Sequence, residues 1–152
     1  MEHYEIERKY LVKEIPDLSQ YPFHIIEQAY LCTSPVVRVR RKDENYYITY
    51  KGQGFAIREE YNLPLSEEAY HHLKAKADGN IISKTRYLIP DADGKHTIEL
   101  DIFAAPFAPL ILAEVEFDSA EEMQAYHAPD WFGEDVTEDR AYANSTLSQK
   151  VF

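Results

Sequence analysis

The sequence predicts an α+β fold that is mainly antiparallel β: an eight-stranded closed tunnel barrel with flanking helices. Short segments in which charged and apolar residues alternate recur along the chain, and their charged positions carry paired charges of both signs. Successive side chains of a strand point to opposite faces, so each segment has one charged face and one apolar face. An open sheet that turns its polar face to water has no need of such clustering. A closed barrel with the charges inside accounts for it.

The first predicted strand runs from Glu5 to about Val12. Alternation places Glu5, Glu7 and Lys9 on one face of this strand. Neighbouring carboxylates repel each other unless water, cations or metal ions neutralise them. Taken alone, the segment also fits a solvated edge strand, and the recurrence of its pattern favours the barrel.

The next part of the chain predicts four further strands. The segment 16–22 begins and ends with proline and is a connection. The predicted strands are 24–31, 36–42, 46–51 and 57–65. The polar loop 43–45 has hairpin length, and the glycine-containing segment 52–54 interrupts the alternation.

The remainder of the chain predicts three strands and two or three helices. Ser66 is a candidate N-cap for a helix over 67–77, which Asp78-Gly79 closes. Strands are predicted at 80–89, 97–103 and 110–117. Ser119 and Glu122 have capping-box spacing for a second helix to about residue 127. A loop is predicted over 129–139, and a short terminal helix over 141–150.

Length, charge and cysteine content limit the classes of protein. We expect a single domain over 1–152, because no repeat or low-complexity segment divides the 152 residues. No apolar run approaches 18 residues, so neither a signal peptide nor a membrane span is expected. The single cysteine, Cys32, excludes an internal disulfide and favours a cytoplasmic location. The net charge of −11 opposes binding to nucleic acid or anionic lipid.

Inside a barrel, the charged faces would form two kinds of site. The basic candidates are Lys9, Arg38, Arg40, Lys51, Lys84 and Arg86. The acidic candidates are Glu5, Glu7, Glu60, Glu99, Asp101, Glu114 and Glu116. Clustered guanidinium and ammonium groups bind anions, and clustered carboxylates bind hard divalent cations.

The ordered series of charge motifs resembles the CYTH superfamily, also called triphosphate tunnel metalloenzymes. The motifs are Glu5-x-Glu7-x-Lys9, Arg38-x-Arg40, Lys51, Lys84-x-Arg86, Glu99-x-Asp101 and Glu114-x-Glu116. The segment 136–144 is similar to the ending of the small bacterial members. The resemblance implies a tunnel of eight antiparallel strands that binds a triphosphate group with Mg²⁺ or Mn²⁺.

The resemblance also implies roles for individual residues. The basic set would bind phosphate, and the carboxylates Glu5, Glu7, Glu114 and Glu116, with Glu99 and Asp101, would hold metal. Tyr30 and Lys84 match positions implicated in catalysis in one branch, although a strand tyrosine is also commonly a packing residue. Where the family often has a second glutamate this chain has Asn62, which leaves Glu60 as the accessory carboxylate. Arg58 and Arg140 are further candidates for phosphate contact, for which solvated positions are favoured.

Three functions are compatible with these residues. The first is metal-dependent hydrolysis of inorganic triphosphate. The second is a class IV type of adenylate cyclase, or another enzyme acting on nucleoside or thiamine triphosphates, on the same scaffold. The third is a protein that binds polyphosphate or a nucleotide without turnover. A homodimer is left open.

Overall fold

The computed structural model describes residues 3–152, which form nine strands, three α-helices and a 3-10 turn. The strands are β1 (Tyr4–Val12), β2 (Phe23–Thr33), β3 (Val36–Lys42), β4 (Asn45–Lys51), β5 (Ile57–Pro64), β6 (Asp78–Pro90), β7 (Thr97–Phe103), β8 (Ile111–Glu116) and β9 (Phe132–Asp135). The helices are α1 (Glu67–Lys74), α2 (Ala120–Ala125) and α3 (Asn144–Ser148), and the 3-10 turn is Arg140–Tyr142.

Eight of the strands form a closed antiparallel barrel in the order β5-β4-β3-β2-β6-β7-β8-β1. The barrel closes because the start of β1 also pairs with β5, with Glu5 opposite Arg58. On its other edge β1 pairs with β8, where Glu7 faces Glu116 and Lys9 faces Glu114. The predicted fold class is therefore confirmed, and both charge motifs of this strand pair lie side by side.

The prediction of a loop throughout 129–139 was wrong. Residues Phe132–Asp135 form β9, which pairs with the last residues of β1, including Tyr10 opposite Asp135. Gly133 lies so close to β1 that a Cβ atom there would be 3.3 Å from the backbone and side chain of Leu11. The strand is only four residues long and shows no alternation, so its sequence carries no strand signal.

Two helices cover apolar surface on the outside of the barrel, as predicted. The Ser66 hydroxyl accepts a hydrogen bond of 3.0 Å from the Ala69 amide and caps α1. α1 buries Tyr70 completely against Ala29 and Val39 on the barrel wall. Burying such a ring contributes roughly 1.5 to 3 kcal/mol.

The second helix is fixed in the same way. The Ser119 hydroxyl accepts from the Glu122 amide at 3.1 Å and caps α2, which buries Met123 against Tyr10 and Phe117. α1 ends at Lys74, earlier than the predicted residue 77, and β6 already begins at Asp78.

Apolar side chains fill one end of the barrel interior. Tyr30, Ile82, Phe103 and Leu112 form part of this cluster, and Leu147 of α3 packs against them. The terminal helix is shorter than the predicted 141–150, because the 3-10 turn precedes it. The rest of the interior is left to the charged residues.

Within residues 3–152, none of the helices has the length and hydropathy needed to cross a lipid bilayer.

Candidate active site

A cavity of about 440 Å³ occupies the charged part of the barrel interior. Its carboxylates are Glu5, Glu7, Glu60, Glu99, Glu114 and Glu116, and its basic residues are Lys9, Arg38, Arg40, Lys42, Lys51, Arg58 and Arg86. Its other polar side chains include Tyr30, Tyr47, Asn62, Asn144 and Ser145. The alternation of the strands thus brings together nearly all the residues singled out from the sequence. The exceptions are Lys84 and Asp101, which are buried behind the cavity wall, and Arg140, which lies outside the cavity.

Two buried arginines of β3 form the most unusual part of the cavity wall. Arg38 and Arg40 are only 5% and 7% exposed, and neither has a carboxylate within 4 Å among residues 3–152. The Nε atom of Arg38 is buried without a hydrogen-bond partner. Buried charge without a carboxylate partner is costly, so these guanidinium groups favour an anion in the cavity.

The other basic residues of the cavity are paired with its carboxylates. The Lys51 ammonium lies 2.8 Å from Glu5 and 3.5 Å from Glu60. The Lys9 ammonium lies 3.7 Å from Glu114 and donates to the backbone oxygen of Tyr142 at 3.1 Å. These pairs hold long side chains in place without the help of a ligand.

Three glutamates converge on one side of the cavity. Carboxylate oxygens of Glu5, Glu7 and Glu116 all lie within 4.8 Å of one another. Burial and the neighbouring Glu114 and Glu5 raise the pKa of Glu7 well above its usual range. Glu116 is solvent-exposed, yet the surrounding protein and, second, repulsion from nearby carboxylates raise its pKa to about 8.

The donor set of this cluster fits a hard divalent cation. Oxygen ligands are those that Mg²⁺, Mn²⁺ and Ca²⁺ prefer, and a cation between the carboxylates would remove the repulsion that now favours their neutral forms. Glu5 differs from the other two, because its salt bridge to Lys51 outweighs burial and lowers its pKa to about 2. It is therefore ionised and available as a ligand at neutral pH.

Glu114 and Glu99 occupy the zone between the carboxylate cluster and the basic residues. Glu114 lies 3.7 Å from Lys9 and 3.6 Å from Arg86, and these cations outweigh burial and hold its pKa well below the usual range. Glu99 accepts from Arg86 at 3.1 Å through one oxygen, while its other oxygen is buried without a partner. Glu99 therefore has one oxygen available to a cation.

Asp101 lies between two cations and away from the carboxylate cluster. It is fully buried, accepts from the Nε and Nη2 atoms of Arg86 at 2.7 and 2.9 Å, and lies 2.7 Å from the Lys84 ammonium. The expectation that Asp101 joins the metal ligands therefore finds no support in the geometry: both of its oxygens are engaged by cations, and it is absent from the cavity lining.

Lys84 is buried behind the cavity, in contact with Asn144, which lines it. The distance from its ammonium nitrogen to the Asn144 side-chain oxygen is 3.5 Å. Burial outweighs the attraction of Asp101 and, with repulsion from Arg86, lowers the pKa of Lys84 to about 8. A lysine of this kind changes its protonation state within reach of physiological pH.

Some residues of the site had not been singled out from the sequence. Gln28 and Tyr47 contact Arg40, at 2.8 and 3.4 Å, and Asn144 separates Lys84 from the cavity. The parity of β2 and β4 could have identified the first two, since they alternate with outward-facing residues like their charged neighbours. Nothing in the local pattern around Asn144 indicates its position.

The two further arginines differ in position. Arg58 lines the cavity, and its Nε atom donates to the Gly52 carbonyl at 3.1 Å. Arg140 lies outside it, with its guanidinium 5.6 Å from the ring centre of Phe55.

The fold and the site together define a class: a closed β-tunnel whose charged interior suits a polyanion and a divalent cation. Comparison with known proteins is more specific. The chain belongs to the CYTH family, because the family model described as the CYTH domain matches residues 3–150.

Relatives of known activity support this membership. The chain is 40% identical over 152 residues to an inorganic triphosphatase of Nitrosomonas europaea, with 97% of this chain and 98% of that protein covered. It is 32% identical over 153 residues to an inorganic triphosphatase of Acetivibrio thermocellus, with 97% and 95% covered. The crystal structure of the inorganic triphosphatase NE1496 matches with a TM-score of 0.73 and 37% identity, covering 97% of this chain and 95% of that one.

Proposed function

We propose that this protein is an inorganic triphosphatase, which hydrolyses a phosphoanhydride bond of tripolyphosphate inside the barrel. The observation that carries the proposal is the pair of buried arginines, Arg38 and Arg40, which have no carboxylate partner and face a cavity whose opposite residues include three clustered glutamates. The full-length similarity to two inorganic triphosphatases supports the same activity.

The basic residues bind and orient the phosphate chain. Arg38 and Arg40 provide planar donor groups that can contact two phosphate oxygens at once, and Lys9 adds a point charge. Phosphoryl transfer depends mainly on alignment and on neutralising charge at the phosphate oxygens. Few apolar side chains line the cavity, which favours an inorganic chain over a substrate with a nucleobase.

Glu5, Glu7 and Glu116 are the residues we propose as metal ligands, with Glu114 and Glu99 next to them. Mg²⁺ or Mn²⁺ is the proposed ion, and when bound it would neutralise phosphate charge and activate water. Glu60 is an accessory carboxylate that holds Lys51 in place.

Tyr30 and Lys84 are the proposed catalytic pair. Tyr30 lines the cavity and also belongs to the apolar cluster, so it both packs and lines the site. Lys84 has a pKa lowered to about 8, which makes its amine a proton acceptor under mildly alkaline conditions. Asn144 lies between Lys84 and the cavity and would transmit its influence through a hydrogen bond.

We place this activity in the cytoplasm, without a nucleic acid or membrane partner. The exposed thiol of Cys32 is compatible with a reducing compartment, and the net charge of −11 opposes non-specific binding to nucleic acid and to anionic membranes. Formation of a homodimer stays a prediction, which light scattering of the purified protein tests.

The test measures phosphate release from tripolyphosphate with Mg²⁺, with Mn²⁺ and with excess EDTA, and measures cyclic AMP formation from ATP in parallel. We expect phosphate release that requires the metal ion, and no cyclic AMP. Formation of cyclic AMP in preference to phosphate would establish the cyclase instead. Tight binding of tripolyphosphate without hydrolysis under either metal would establish a binding protein.

A further inference from the structure

We propose that Gln28 is a positioning residue, which fixes the Tyr30 hydroxyl as a hydrogen-bond donor toward the bound phosphate chain and holds Arg40 beside it. The inference deepens the proposed function and rests on it. Gln28 is an uncharged side chain in a strongly charged interior, and it is completely buried.

The pairing of two strands brings these side chains together. Gln28 and Tyr30 are two residues apart on β2 and point to the same side of the barrel wall. On the adjacent strand β3, Arg40 lies opposite Gln28 and Arg38 lies opposite Tyr30. An amide and a phenol therefore face two guanidinium groups in a fixed register.

The donor properties of arginine determine how the Gln28 amide is oriented. The Nε atom of Arg40 lies 2.8 Å from the Gln28 side-chain oxygen, and a guanidinium nitrogen can only donate. The amide oxygen must therefore face Arg40. The amide nitrogen then faces the Tyr30 hydroxyl at 3.1 Å and donates to its oxygen.

This orientation determines the direction of the Tyr30 hydrogen. A phenol has one hydrogen, and it cannot point at an amide group that is itself donating. Among residues 3–152, the Tyr30 hydroxyl donates to no other group within hydrogen-bond distance. Since Tyr30 lines the cavity, its hydrogen is directed there, where a phosphate oxygen can accept it.

Burial makes the chain of hydrogen bonds effective. Gln28 and Tyr30 are 0% and 1% exposed, so water cannot replace either partner. Hydrogen bonds in such surroundings strengthen one another, and donation to a charged phosphate oxygen is about twice as strong as donation to a neutral group. The arrangement therefore assigns Tyr30 the orienting of phosphate, with Gln28 as the residue that sets its geometry.

The first test is a double-mutant cycle. Gln28→Met keeps the length of the side chain and removes both hydrogen bonds. We expect kcat for tripolyphosphate to fall about tenfold, the factor for one net hydrogen bond. In the Tyr30→Phe background, the same substitution should lower kcat by less than about twofold, because its main partner is already gone. Melting temperatures of all variants show whether each one folds.

The second test reverses one hydrogen bond. In Gln28→Glu the carboxylate still accepts from Arg40 but also accepts the Tyr30 hydrogen, which turns it away from the phosphate. Asn62→Asp is the matched control: it adds the same charge to the same cavity, and Asn62 is bonded to Thr49 at 2.6 Å rather than to Tyr30. We expect the Glu variant to lose more of its kcat than this control.

The outcomes separate the inference from the proposed function. The positioning role is overturned if Gln28→Met has the same kcat as the parent protein, or if it lowers kcat equally with Tyr30 and with Phe at position 30. Hydrolysis of tripolyphosphate by the parent protein upholds the proposed function in either case. If the parent releases no phosphate, the proposed function fails, and calorimetry with tripolyphosphate then tests Gln28 by binding. In that case an unchanged affinity of the Met variant overturns the inference, and an affinity at least threefold weaker supports it.

Discussion

The substitution Asp101→Asn tests the interpretation of the ion pairs behind the cavity. Asp101 is fully buried and compensates two buried cations, Lys84 at 2.7 Å and Arg86 through two contacts of 2.7 and 2.9 Å. Asparagine keeps the shape and one accepting oxygen, but it removes the negative charge and points an amide donor at a cation. Removing one partner of a buried ion pair costs about 3 to 5 kcal/mol. For a domain of this size, that corresponds to a melting temperature lower by roughly 6 to 20 °C.

The assay is urea unfolding of the parent and the variant in EDTA, so that bound metal contributes nothing. Asp130→Asn is the control, because Asp130 is exposed and the same chemical change should alter stability by less than about 0.5 kcal/mol. The fall in stability must be present without metal, since the argument concerns ion pairs within the protein. A loss below about 1 kcal/mol for Asp101→Asn would refute this reasoning and return Asp101 to the candidates for metal binding.

The remaining predictions concern titration and metal binding. Glu116→Gln removes one of three crowded carboxylates, so calorimetry should show weaker Mn²⁺ binding. The metal-free protein should become more stable at pH 8, because repulsion between the carboxylates is reduced. An unchanged Mn²⁺ affinity would exclude Glu116 as a ligand. The kcat/KM of the parent should rise through about pH 8 as Lys84 loses its proton, and Lys84→Arg should lack this rise; the same profile in both would exclude Lys84 as the titrating group. The hydrogen bonds of His96 to Asp93 and Glu122 outweigh burial and raise the pKa of its imidazole. The stability that His96 contributes is therefore complete below 6.5, its pKa in the unfolded chain, and is lost as the pH rises through its higher pKa in the folded protein. His96→Gln should therefore destabilise the protein more at pH 6 than at pH 9, and a loss independent of pH would contradict this.

Strand alternation predicted the barrel because it is a local property with a clear physical cause. Seven of the eight barrel strands place charged residues on the interior parity, and only closure brings all those faces together. The exception is β2, whose interior residues include Gln28 and Tyr30. β9 was missed because its four residues pair with the edge of a single strand and show no alternation. The ends of α1 and α3 were also misplaced, since helix ends depend on where neighbouring strands begin to pair.

Alternation also predicted which side chains enter the interior, but it could not predict how they pair there. Glu5 and Asp101 have the same kind of position in their strands, yet Glu5 joins two other glutamates and Asp101 lies between two cations. These pairings depend on the depth of each residue along the barrel axis, which follows from strand register. Gln28 escaped notice for another reason: it is uncharged, and charge was the signal that marked the interior.

The position of β1 has a consequence for folding. This strand carries Glu5, Glu7 and Lys9, and it is the strand at which the barrel closes, with β8 on one edge and β5 and then β9 on the other. Its partners in β8 lie near the opposite end of the chain, so their pairing has a high loop-closure cost and belongs to the slow, non-local steps of folding. A partly folded chain with an open seam has the arginines of β3 but lacks the carboxylate cluster, because Glu116 has not yet met Glu5 and Glu7. Metal binding is therefore expected to appear only with the last step of closure. Because ligands that need the closed barrel oppose its opening, amide hydrogen exchange along β1 should slow sharply when metal and tripolyphosphate are added.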